Sequence, residues 1–119
     1  MRAPGRRLSA AEIATYKPFF SEKLLNSVML YDAHVPWWLP HRFEAVTLKR
    51  RIFVRPGAYQ STTMAGIELL AHELTHVRQF ADGMNYLKYL WSAVRGHSKS
   101  IYELQAFEYA AAIRKYYDA

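Results

Sequence analysis

The chain of 119 residues has no cysteine. Disulfides and thiolate-held metals are therefore excluded, and a transition-metal site would have to use histidine and carboxylate ligands. Five histidines and ten acidic residues are the whole supply. Long apolar runs are also missing. The best stretch, residues 24–30, is interrupted by Asn26 and Ser27 and falls far short of the roughly 20 residues that span a bilayer. Residues 1–17 are basic but lack the apolar core of a secretory signal. The expectation is a soluble cytoplasmic protein, with signal-less export left open. Acids are scarce relative to bases, giving a net charge of +6. The bases gather at Arg2, Arg6 and Arg7 and again at Lys49, Arg50, Arg51 and Arg55. Nucleic-acid binding uses such clusters, but here they fall in an expected tail and an expected hairpin, where solvation accounts for them. No nucleic-acid fingerprint accompanies them, so that reading ranks last. A membrane surface or an acidic partner protein would use the same charge.

What is present is the composition of a folded domain, 51% hydrophobic and long enough to bury about two-thirds of its unfolded surface. We expect a flexible basic tail over residues 1–8 and a single domain over residues 9–119. Ser9 followed by Glu12 is a capping-box pattern, so a short helix is expected over 10–16, ended by Pro18. One more helical turn fits 21–25, and Val28 to Tyr31 reads as a strand. Residues 32–43 read as a loop, with Trp37 and Trp38 set between prolines and more plausible as core than as a substrate subsite. Residues 45–48 and 51–54 are β-rich runs two residues apart, the spacing of a hairpin, although Lys49-Arg50 is not a favoured turn pair. Ser61, Thr62 and Thr63 offer caps for a long helix over 63–81, closed by Asp82 and Gly83. Leu87, Leu90, Trp91 and Val94 recur at helical spacing, predicting a helix over 85–95. A last helix is expected over 99–116, with Ile101, Leu104, Phe107, Tyr109 and Ala111 around its apolar face. The order predicts an α+β domain: a short N-terminal helix, a small antiparallel sheet of about three strands, then three helices.

The first of those three helices carries His72-Glu73-Leu74-Thr75-His76, a complete H-E-x-x-H. Histidines four apart on a helix share one face, so both imidazoles can reach one metal ion, while Glu73 is placed to deprotonate a water there. Two histidines leave the ligand set incomplete, since catalytic zinc usually takes three protein ligands and keeps one position open. In metzincins a glycine three residues after the second histidine turns the chain back toward a third ligand. Gln79 and Asp82 occupy the corresponding positions, and without the glycine Asp82 faces elsewhere. Glu103 and Glu108, both on the last expected helix, remain as candidates.

The run from Leu70 to Gln79 resembles the motif helix of small bacterial gluzincin-like domains, including the metallopeptidase-like domain associated with extracellular contractile injection systems. In that group a β-hairpin precedes the motif helix, matched here by residues 45–54. A Glu-x-Glu-Ala segment follows, matched by Glu103-Leu104-Gln105-Ala106. The resemblance covers roughly residues 45–113. It implies a minimal zincin-like fold, Zn2+ as cofactor, and His72, His76 and Glu103 as metal ligands with Glu73 catalytic. It further implies hydrolysis of peptide bonds in a peptide or protein substrate bound along an edge strand, for which 52–54 is the candidate. Two positions depart from the pattern: Gln105 replaces the second Glu, and Phe107 stands where gluzincins often carry an Asp that orients a metal-bound histidine. Glu68, one turn before His72, is a substitute orienting group only if it is not solvent-exposed. The oxyanion of peptide hydrolysis needs a donor beyond the metal, and His97, Tyr102 and Tyr109 are the candidates. The alternative reading is a zinc-binding but catalytically weak module serving binding or assembly in a larger system.

Overall fold

The computed structural model describes residues 5–83 and 101–118. The helix expected over 85–95, with Leu87, Leu90, Trp91 and Val94, lies outside them, as do His97 and the expected first turn of the last helix. Four strands and four helices are described, in the order β1 (Arg6–Arg7), α1 (Ala10–Tyr16), α2 (Glu22–Ser27), β2 (Met29–Tyr31), β3 (Ala45–Leu48), β4 (Arg51–Val54), α3 (Met64–Ala81) and α4 (Ile101–Asp118). The α+β class is as expected, and the sheet differs in detail. It is mixed, with strand order β1-β2-β4-β3, where about three antiparallel strands are expected from sequence. The hairpin explains the parallel pair: β3 runs along the outside, Lys49 and Arg50 reverse the chain, and β4 returns between β3 and β2, antiparallel to the first and parallel to the second. Lys49 makes that reversal with φ of 60°, a left-handed conformation uncommon for a residue with a Cβ. Arg6 and Arg7, within the stretch read as a tail, pair antiparallel with β2.

A buried charge cluster explains why the N-terminal segment is held. Ser9 caps α1 in the reciprocal capping box read from the sequence, its hydroxyl accepting from Glu12 N–H while the Glu12 carboxylate accepts from Ser9 N–H at 2.8 Å. The same carboxylate takes two hydrogen bonds from Arg6 at 2.7 and 3.0 Å and one from the Tyr59 hydroxyl at 2.5 Å. Burial alone would push Glu12 up. The donors outweigh it and hold the carboxyl down at about 2.

The two central strands supply Leu30, Ile52 and Val54 to the main core, where they meet Ile67, Leu70, Ala71, Leu74 and Val77 of α3 and Ala110 and Ile113 of α4. Tyr16 pins α1 onto α3 by donating to Ile67 O at 3.2 Å. Helix α3 is buried on nearly every side, which accounts for its apolar flanks on both sides of the motif. Its start depends on Gly66. A Cβ added there would lie 1.8 Å from the Gln60 carbonyl oxygen, and the Thr63 cap hydroxyl accepts from Gly66 N–H.

Helix α4 turns a different face inward from the one read from its large apolar residues. Ala106, Ala110 and Ile113 are buried, while Ile101, Leu104 and Phe107 are 64%, 49% and 54% exposed and Ala111 is exposed. Small side chains at 106 and 110 let the α4 backbone come close to α3. That rotation places Glu103 on the inward side and Glu108 on the outside. Trp37 is 94% exposed and so is no core residue. Trp38 is half-buried against Leu39 and Val46 in a second cluster. No described helix is long and apolar enough to cross a membrane.

Candidate metal centre

His72 and His76 lie one turn apart on α3, and α4 brings Glu103 against both. His76 Nε2 is 2.5 Å from Glu103 Oε1, His72 Nε2 is 3.5 Å from Glu103 Oε2, and the two Nε2 atoms are 3.2 Å apart. These three residues form a group that could hold a metal ion, with one ligand atom from each lying within 4.8 Å of the others. Ligands about 2.0–2.1 Å from a tetrahedral zinc are separated by roughly 3.3 Å. The separation of the two imidazole nitrogens matches that spacing, whereas the two Glu103 distances are made by different carboxylate oxygens, so the carboxylate would have to turn to present one of them to a shared ion. Asp82 caps the C-terminus of α3 in an exposed position and is not in the group, and neither is Glu108.

The electrostatics of the group suit a cation. Burial pushes Glu103 up, but hydrogen bonds from His72 and His76 outweigh it and bring the carboxyl down to about 2. Burial opposes charge on His76, whereas the hydrogen bond to Glu103 and the nearby carboxylates of Glu73 and Glu103 hold it above the usual imidazole range. A half-buried carboxylate facing two imidazoles therefore favours positive charge between them, carried by a proton or by a metal ion.

Two polar residues that the sequence reading gave no role complete the surroundings. Glu73 is buried at 5% exposure, and its Oε1 accepts a hydrogen bond from Thr47 Oγ1 at 2.8 Å. Thr47 sits in β3 with no exposure at all, and β3 is the outer strand of the sheet beside α3. A threonine in a β-rich run carries no signal of such a contact. The second residue is Gln79, whose Oε1 lies 2.7 Å from His76 Nδ1. Its place one turn after His76 was a usable signal. His72 has a different kind of neighbour: the ring of Phe107 packs edgewise on its imidazole with centroids 4.5 Å apart. Glu68 does not orient His72, because its carboxylate is tied to Arg114 of α4 at 2.8 Å. Tyr109 is spent elsewhere, donating to Phe19 O at 2.8 Å, and Tyr102 packs into the second apolar cluster.

The motif helix, the hairpin before it, Thr47 and Gln79 lie on one contiguous stretch, and that stretch has a counterpart. Residues 41–84 match the eCIS core domain. The match covers a little over a third of the chain and links it to extracellular contractile injection systems. It takes in Thr47, His72, Glu73, His76 and Gln79, and stops before Glu103. Comparison with curated proteins and with solved structures gave no match.

Proposed function

We propose that this chain is a zinc-dependent metallopeptidase in which His72, His76 and Glu103 hold the ion and Glu73 acts as general base. The observation that carries the reading is the convergence of His72, His76 and Glu103 from two helices on one point, where His76 is buried and the other two are half-buried, with Glu73 buried on the same turn of α3. The donor set fits zinc: two imidazoles and one carboxylate are a common catalytic combination that leaves a position open. Bound there, zinc supplies a water of lowered pKa and polarises a substrate carbonyl. Glu73 would take the proton of the attacking water and pass it to the leaving amine. Thr47 holds one oxygen of that carboxylate, which leaves the other to turn toward the water.

The substrate would be an extended peptide. β3, and not residues 52–54, is the outer strand beside α3, so backbone pairing along β3 brings a peptide past Glu73. A separate groove of about 890 Å³ at the hairpin end of β3 is floored by Phe53, Val77 and Phe80 and rimmed by Lys49, Arg50 and Arg51. Its rim favours acidic segments.

Two observations favour a second reading, that of a zinc-holding module with weak or no turnover that serves assembly. Phe107 covers His72 at the position where an orienting acid is expected, and the eCIS core match points to a larger assembly. In either reading the chain would be made in the cytoplasm. Protein purified without added metal should contain about one zinc per chain, and chelation should abolish cleavage of a peptide library. Glu73→Gln should lose cleavage and keep zinc. Cleavage surviving Glu73→Gln overturns the general-base role. A zinc-loaded but inert unaltered protein selects the assembly reading.

A further inference from the structure

Gln79 has one arrangement of its side chain that satisfies its neighbours. Its Nε2 donates to the Tyr102 carbonyl at 3.0 Å and to Gln105 Oε1 at 3.1 Å. A carbonyl can only accept, so the NH2 end of Gln79 must face α4. Turning the amide over would set Oε1 against the Tyr102 oxygen, two acceptors facing each other, and leave that carbonyl without its donor. The Oε1 end is thereby committed to His76, where it meets Nδ1 at 2.7 Å. An amide oxygen can only accept, which requires a proton on Nδ1. With Nδ1 committed to Gln79, Nε2 is the nitrogen that faces His72 and Glu103, and it is the proton it shares with Glu103 that a metal ion would replace. Both partners are shielded, with His76 1% and Gln79 8% exposed, so water competes poorly for this bond.

We propose that Gln79, itself oriented by the Tyr102 carbonyl and Gln105, is the positioning residue that fixes the tautomer and ring angle of His76 for metal binding. The chain thus performs with a neutral amide the task for which a carboxylate is expected. It does so on the other histidine: Phe107 leaves His72 with a ring contact, while His76 takes the hydrogen bond. Gln105, a departure from the expected Glu, fits this arrangement, because a carbonyl oxygen there accepts from Gln79 without adding a second negative charge beside Glu103. The relay also crosses from α3 to α4. Docking of α4 therefore sets the third ligand and the angle of the second in one step. The inference rests on the metal reading above but not on catalysis.

The test uses the full chain with 15N-labelled histidine and zinc alone as probe. In the unaltered protein the His76 imidazole should show a protonated, slowly exchanging Nδ1, before and after zinc is added. Gln79→Leu should lose that protected proton and weaken zinc binding by about 10- to 100-fold, the usual cost of removing such a partner. Gln105→Ala should weaken it less, by under about 10-fold, since Tyr102 still orients the amide. A zinc-bound His76 protonated on Nε2 overturns the proposal. So does a Gln79→Leu protein that keeps both the protected proton and the zinc affinity. Should Gln79→Leu fail to fold, the imidazole spectrum of the unaltered protein decides the matter. If the chain binds no zinc, the metal reading falls. The Nδ1 signal of the zinc-free protein then still supports or overturns the role of Gln79 in orienting His76.

Discussion

Thr47→Val is the substitution that most directly probes how Glu73 is held. Valine has nearly the shape of threonine, so the change removes a hydroxyl and leaves no sizeable cavity. The lost bond is well formed at 2.8 Å. Neither residue is accessible, with Thr47 at 0% and Glu73 at 5% exposure, so water cannot step into the vacated place. A hydrogen bond accepted by a carboxylate contributes about 1.5–3 kcal/mol, and a buried acceptor left unpaired costs at least as much. The expected loss of stability is therefore about 2 kcal/mol, or a fall of roughly 8 °C in the unfolding midpoint of a domain this size. Thr47→Ser, which keeps the hydroxyl, should lose only about the 0.8 kcal/mol of one buried methyl group. Zinc affinity should stay within about threefold of the starting value, because Thr47 touches none of the three ligands, while any peptidase turnover falls about tenfold or more. Urea unfolding of Thr47→Val, Glu73→Ala and the double variant isolates the pair. A coupling energy of about 1–3 kcal/mol is expected. Coupling below about 0.5 kcal/mol, or a Thr47→Ser protein as unstable as Thr47→Val, refutes the reasoning.

Four further outcomes are expected. Glu103→Ala should weaken zinc binding by at least about 100-fold, since it removes a ligand and not merely a ligand's partner; unchanged affinity by chelator competition moves the third ligand elsewhere. Zinc affinity should fall as the pH drops from about 8 to about 6, because His76 binds its proton above the usual imidazole range and protons compete with the metal for Nε2; a flat profile in that window contradicts this. Glu12 is held at about 2 against an ordinary 4.5, so its contribution is complete above about pH 4.5 and disappears as the pH falls toward 2. Urea unfolding should show up to about 3 kcal/mol of such loss in the unaltered protein and none of that part in Glu12→Gln. Gly66→Ala puts a Cβ 1.8 Å from the Gln60 oxygen and should cost about 3 kcal/mol or more by overpacking; a melting temperature unaffected by the change would show that the loop before α3 yields freely.

Local signals were the legible ones. The capping box at Ser9 and Glu12, the threonine cap of α3 and the two motif histidines all rest on spacings of three or four residues within one helix, which sequence states directly. The class of fold followed from the order of such elements. Pairing between distant segments was harder to read. Residues 52–54 are the candidate edge strand on resemblance, yet the hairpin folds β4 into the middle and leaves β3 outside, as a run of three apolar residues in a strand buried on both sides allows. The inward face of α4 was misread for a related reason: bulk was taken as the mark of burial, whereas the contact with α3 is made by Ala106 and Ala110, whose value lies in their smallness. Thr47 shows its role only once Glu73 is placed beside it, whereas the spacing of Gln79 from His76 within one helix is a local signal that was there to be read.

The division of the candidate site between α3 and α4 has an energetic consequence that neither helix shows alone. Two candidate ligands and the proposed base come from α3, while the third candidate comes from α4, which meets α3 through small Ala106 and Ala110 as well as through Ile113 and Tyr109. Small residues permit close approach but contribute little burial, about 25 cal/mol for each Å² of apolar surface removed from water. Beside that apolar contact the two helices are linked by polar groups: Gln79 to the Tyr102 carbonyl and to Gln105, and Arg114 to Glu68. The last of these is half-exposed and contributes at most about 1 kcal/mol. A cation shared by His72, His76 and Glu103 would bind only when α4 is docked. At a free concentration one hundred times its dissociation constant it would add about 2.7 kcal/mol to the docked state. That exceeds what the exposed ion pair supplies and equals a large part of the net stability of a domain this size. The ion would thus act as a clamp as well as a reactive centre, and holding it would be useful to the fold even in a protein with no turnover.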